Sequence, residues 1–97
     1  MTESEYQKKF TDKLKKEFPG SKVLKNDSRY IQGIPDWSFY YGPKYAILEI
    51  KIEKDAAHQP NQDYYINDFK NQGAFSAFVY PENEKEVLKE MHKHFDK

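Results

Sequence analysis

The run Tyr45–Ile52 reads Tyr-Ala-Ile-Leu-Glu-Ile-Lys-Ile. It is the most apolar stretch of the chain and is rich in β-branched residues, so it reads as the central strand of a sheet. Two charges, Glu49 and Lys51, interrupt it. Side chains alternate faces along a strand, so Ile47, Glu49 and Lys51 share one face and Ala46, Leu48, Ile50 and Ile52 the other. A charge in so apolar a setting is costly without a partner. Any fold built around this strand must give Glu49 and Lys51 one.

The flanking sequence supplies the remaining elements. Tyr6, Phe10, Leu14 and Phe18 recur every four residues and predict an amphipathic helix over Glu3–Phe18. Thr2 caps it, Glu5 stands at the capping-box position, and Pro19-Gly20 stops it. Short strands are expected over Ser21–Lys25 and Asp36–Tyr41, with a turn at Gly42-Pro43 before the central strand. Pro60 reads as the first residue of a helix that runs to Gln72 and ends at Gly73. Ala74–Tyr80 is a further strand. Glu82–Phe95 is a last helix with Val87, Leu88, Met91 and Phe95 on one face. The expected fold class is α/β in the order α-β-β-β-α-β-α, a mixed sheet flanked by helices. With 97 residues, one domain spanning 1–97 is expected.

Composition narrows the function classes. No apolar run reaches the 18 or so residues needed to span a bilayer, and Met1–Phe10 has no apolar signal-peptide core, so no membrane partner is expected. There is no cysteine, which excludes a disulfide framework, a thiolate zinc site and a Cys nucleophile, and a cytoplasmic setting is expected. Aromatic residues make up 16% of the chain, more than a disordered polymer carries, and they help a small domain build a core. The 16 basic and 16 acidic residues cancel, yet unevenly. Residues 1–30 hold eight basic and five acidic groups, while residues 61–97 hold five basic and seven acidic ones. The N-terminal lysines fit either a solvated helix face or a strip that meets phosphates.

The turn at Gly42-Pro43 carries a prediction about chemistry. If an even-numbered loop is centred between these two residues, paired positions sum to 85, and Asp36 falls directly across from Glu49. Directly opposed Cβ atoms lie about 5 Å apart, and like charges placed so are destabilising. A divalent cation bound by both carboxylates removes that penalty. Mg²⁺ suits such a pair, because it keeps several waters and uses few protein carboxylates alongside substrate phosphates. It stabilises charge on a phosphoryl oxygen and acidifies a bound water. Lys51 is then placed to orient or activate the attacking water, or to stabilise the transition state as a cation. The triplets Asp27-Ser-Arg29 and Asp68-Phe-Lys70 have the same acid-x-base form but lack that strand context.

These residues resemble a known family. Pro35-Asp36 followed, after twelve residues, by Glu49-Ile50-Lys51 is similar to the PD-(D/E)XK nuclease signature. Gly33-Ile34-Pro35-Asp36, Glu49-x-Lys51 and then Gln62 at a helix start resemble its virus-type replication-repair nuclease branch (VRR-NUC), which is related to Holliday junction resolvases. The resemblance covers roughly residues 3–80 and implies a restriction-endonuclease-like core. It implies that Asp36 and Glu49 ligate Mg²⁺ or Mn²⁺ together with the backbone carbonyl of Ile50. It also implies that Lys51 is the catalytic lysine and that Gln62 supports the site. Many members carry an acidic residue in the first helix; Glu3 matches it best and Glu5 next, although an N-terminal glutamate also suits the helix dipole.

The expected function is therefore a metal-dependent DNA endonuclease, selective for branched, flapped or junction DNA, in phage or mobile-element replication, recombination or repair. Lys8, Lys9, Lys13, Lys16, Arg29 and Lys54 are the candidate DNA contacts, and a homodimer without organic cofactor is expected. The alternative is a non-catalytic DNA- or protein-binding module on the same fold. His58, His92 and His94 are too scattered for a metal set. Gly33 is either a plain loop glycine or a point where backbone approaches the site closely.

Overall fold

The computed structural model describes residues 1–96. Seven elements follow in order: α1 (Glu3–Glu17), β1 (Lys22–Lys25), β2 (Trp37–Tyr41), β3 (Lys44–Ile50), α2 (Gln62–Asn71), β4 (Phe75–Val79) and α3 (Glu84–Phe95). The α/β class and the α-β-β-β-α-β-α order agree with the sequence expectation. The sheet order is β1-β2-β3-β4. The first three strands are antiparallel and β4 runs parallel to β3, so α2 forms the crossover between them.

The β2–β3 register is the one that positions the site. Tyr41 pairs with Lys44 and Trp37 with Leu48, so Gly42 and Pro43 form a two-residue turn. Gly42 takes φ +62°, the left-handed first position that lets such a turn follow the strand twist. β3 therefore presents alternate residues to two different environments. Ala46, Leu48 and Ile50 join Phe39 and Val79 in the main core, which α1 covers with Tyr6, Phe10 and Leu14. From α3 come Val87, Leu88, Met91 and Phe95, and Phe18 seals the end. Edge contacts of Phe18 with Phe39 and of Phe39 with Phe95, at 5.3 and 5.1 Å between ring centres, lock this layer. The opposite face of β3 carries buried Ile47 and Glu49, and Ile66 of α2 is buried there.

α1 begins as the sequence predicts. The Thr2 hydroxyl accepts from Glu5 N, and the Glu5 carboxylate accepts from Thr2 N. α2 departs from expectation, because Pro60 is not its first residue. Pro60 lies in a turn, Asn61 is the N-cap in a left-handed conformation (φ 72°), and the helix starts at Gln62. The physical reason is the loop before it: Gln59 N donates to the Gln62 side chain, which folds the chain into one more turn before helix hydrogen bonding begins. β3 also ends two residues before the expected Ile52, and β2 starts after Asp36, so the site residues stand at or just beyond the strand ends.

Candidate active site

The residues singled out by the sequence converge. Glu3, Asp36, Glu49, Lys51 and Gln62 line one polar cleft of about 420 Å³ at the C-terminal end of β3. A groove of similar size between β4 and α3 is mainly apolar and holds none of them.

Each side chain is held from a different element. Glu49, the penultimate residue of β3, is 1% exposed. Its Oε1 accepts from the backbone N–H of Asp36 at 2.9 Å. This is the cross-strand neighbourhood that the two-residue turn dictates. Lys51 is 6% exposed. Its Nζ donates to the Ala57 carbonyl at 3.0 Å and lies 3.6 Å from Glu49 Oε2. The Lys51 N–H bonds Val79 of β4, so the backbone that carries this lysine is tied into the sheet. Gln62 is buried at the start of α2, and its Oε1 accepts from Gln59 N at 2.8 Å.

Asp36 is positioned by Asn26. Asn26 N donates to the Asp36 carbonyl at 2.6 Å and its Nδ2 to the Pro35 carbonyl at 2.8 Å, while Ser38 Oγ donates to Asn26 Oδ1. Gly33 brings two loops together over the cleft. It takes φ +85°, and a Cβ there would collide with the Pro60 carbonyl and with Asn61. Of the two readings of this glycine, the close-approach one describes it.

The electrostatics show one unresolved charge. Burial, and next the Asp36 carboxylate, raise the Glu49 pKa from its ordinary 4.5 to about 7, against the Asp36 N–H and Lys51. Glu3 adds to the rise. Glu3 Oε1 itself accepts from Ile52 N at 3.1 Å at the cleft wall, whereas Glu5 is spent on the helix cap. Among the described residues, no three His, Asp or Glu side chains group closely enough to hold a metal. A cation here would draw on the Asp36–Glu49 pair plus backbone oxygen.

Several contributors escaped the sequence reading. Gln7 of α1 is buried, and its Nε2 donates to the Ile50 carbonyl at 3.0 Å. Lys25 lies 3.6 Å from Asp36 Oδ2 and 4.8 Å over the Trp37 ring. The signal for Gln7 was available: it is a polar residue inside the apolar stripe of α1. The proposed DNA contacts do not gather at the cleft. Lys8 pairs with Asp12, Arg29 with Asp27, and Lys13 with Glu84 of α3. Lys9, Lys16 and Lys54 are exposed. Lys8 does line a groove between α1 and β1, and Lys15 and Lys25 line it too. The histidines serve the fold: His92 bonds Glu17 and Asp96, and His58 stacks on Phe78.

Comparison with known proteins returned nothing: no family model matches the chain, and neither a curated protein nor a solved structure matches it. Among the described residues, no helix is long and apolar enough to cross a membrane. The fold and site thus define a small α/β domain with a buried carboxylate and lysine at the end of its central strand.

Proposed function

We propose that this chain is a divalent-metal-dependent nuclease that hydrolyses phosphodiester bonds in DNA. The observation that carries the reading is the buried Glu49, held beside Asp36 and Lys51 on the floor of an open polar cleft. Two carboxylates and a carbonyl are hard oxygen donors, the set that suits Mg²⁺ or Mn²⁺. Burial first and the Asp36 carboxylate next raise the Glu49 pKa, and a dication held between the two carboxylates would offset both. When bound, the metal supplies an acidified water and neutralises charge on the phosphoryl group.

The residues of the chain then have distinct roles. Asp36 and Glu49 would hold the cation, with the Ile50 carbonyl as a further donor. Lys51, fixed by the Ala57 carbonyl and Glu49, would place its ammonium against the phosphate and stabilise the charge that develops in the transition state. Gln62 would keep the loop at Gln59 in position. A neighbouring groove lined by Lys8, Lys15 and Lys25, with Asp12 paired to Lys8, carries an excess of cations that supports a run of backbone phosphates. The described domain offers little surface for reading base edges, which supports selectivity for branched, flapped or junction DNA over sequence. Phage or mobile-element replication, recombination or repair is the setting such selectivity serves. A homodimer, testable by light scattering, would present two clefts to one substrate.

The deciding experiment is cleavage of linear duplex, single strand, flap and four-way junction with Mg²⁺, Mn²⁺, Ca²⁺ or EDTA. Mg²⁺ and Mn²⁺ should support cutting, and Lys51→Ala should lower the rate by about 10²–10³-fold or more. If the wild type cuts nothing that Lys51→Ala spares, the nuclease reading fails.

A further inference from the structure

The peptide unit between Ile50 and Lys51 is bonded on one side only by the sheet. Its N–H reaches the Val79 carbonyl of β4 at 2.7 Å, so its carbonyl points the other way, toward the β2 side. The β2–β3 ladder has ended there, its last pair being Trp37 with Leu48. Carried onward, the same register sets Pro35 opposite Ile50, and proline has no N–H to give. The sheet therefore leaves the Ile50 carbonyl without a donor, beside Asp36 and Glu49.

Gln7 fills that gap from another element. Its Nε2 donates to the Ile50 carbonyl at 3.0 Å, and its Oε1 faces Lys25 Nζ at 3.4 Å. The ammonium can only donate and the carbonyl can only accept, so these two neighbours allow one orientation of the carboxamide. Lys25 in turn lies 3.6 Å from Asp36 Oδ2. Gln7 is 7% exposed, in a stripe of α1 otherwise built of Tyr6, Phe10, Thr11 and Leu14. A buried carboxamide is tolerated only when its bonds are made, and Gln7 makes its bonds to the site. A carbonyl oxygen has two lone pairs. Gln7 takes one and fixes the direction of the other.

We propose that Gln7 is a positioning residue for the metal site: it orients the Ile50 carbonyl as a ligand and, through Lys25, links that ligand to Asp36. This inference rests on the metal-site reading above. Outer hydrogen bonds of this kind orient metal ligands, and their loss typically costs 10–100-fold in metal affinity.

The test is Mn²⁺ binding to the DNA-free chain, followed by the electron paramagnetic resonance of the free ion. Wild type is compared with Gln7→Met, which keeps the volume but not the donor, and with Thr11→Val. Thr11 is equally buried on the same helix but bonds only the Lys8 carbonyl, so it controls for loss of a buried polar group. Gln7→Met should bind Mn²⁺ about 10–100-fold more weakly, while Thr11→Val binds as wild type does. A folded Gln7→Met chain with wild-type affinity overturns the proposal. Should that variant not fold, a Mg²⁺ titration of the wild type by NMR decides. The Gln7 side-chain amide and the Ile50 carbonyl carbon should shift together with the Asp36 and Glu49 carboxyl carbons. If the carboxyls shift and the Gln7 amide does not, the role of Gln7 is refuted. If no carboxyl shifts, the metal reading itself falls, and this inference with it.

Discussion

The two faces of the sheet follow opposite rules. On the α1–α3 face, Phe39, Ala46, Leu48, Ile50 and Val79 are sealed under aromatic and aliphatic side chains, and the polar groups that intrude are few. On the α2 face the buried set includes Ser38, Glu49, Lys51, Gln62 and Ser76 beside Ile47 and Ile66. The first face stabilises the fold through apolar burial. The second keeps a carboxylate in a setting that raises its pKa, which costs stability and creates a site for charge. A strand has two faces and a period of two, so β3 serves both with alternate residues.

Phe39→Ala tests the first face. The ring is fully buried and packs edge-on to Phe18 and Phe95, so its loss should destabilise by about 3–5 kcal/mol in urea unfolding. A loss under about 1 kcal/mol would show that this layer is not the stabilising one.

Glu49→Gln tests the second face and should act in the opposite direction. Without metal, the folded chain holds the Glu49 proton up to about pH 7, while the unfolded chain releases it near 4.5. Between those values the native state binds more protons than the unfolded state, so stability falls as pH rises. Glutamine keeps an oxygen for the Asp36 N–H and carries no charge. In EDTA at pH 8 it should stabilise the chain by on the order of 3 kcal/mol and flatten the pH dependence between 4.5 and 7. Equal or lower stability than wild type across that range would break the contrast between the faces.

Gly33→Ala gives the smallest effect, about 2 kcal/mol of destabilisation, because it forces a side chain into positive φ against Pro60. The damage should be local. Hydrogen exchange should rise in residues 26–36 and 56–62 while the α1–α3 core stays protected.

Much of the site was legible because it is local. The Asp36–Glu49 juxtaposition depends on one turn: an even-numbered loop centred at Gly42-Pro43 sets the two residues across from each other, and the two-residue turn supplies that register. Glu49 and Lys51 stood out as charges inside an apolar strand. The helix that begins at Gln62 was legible in type and close in position, but its first turn was not, since Asn61 adopts a left-handed conformation that follows from the Gln59–Gln62 contact. The bond of Lys13 to Glu84 was not legible, since it joins residues 71 apart; with the Tyr6 hydrogen bond it lowers the Glu84 pKa despite burial.

The sequence by itself determined the order of the elements and the face each β3 residue takes, and it made the pairing of the two carboxylates hang on the length of one turn. These rest on periodicities and turn lengths that act over a few residues. Tertiary structure alone decided that Gln7 and Lys25 reach the site, that Asn26 clamps Pro35-Asp36, and that the Gly33 loop closes on Pro60. Those contacts join residues far apart in the chain, and they exist only once α1 has packed its apolar stripe on the sheet and turned its polar residues toward the end of β3.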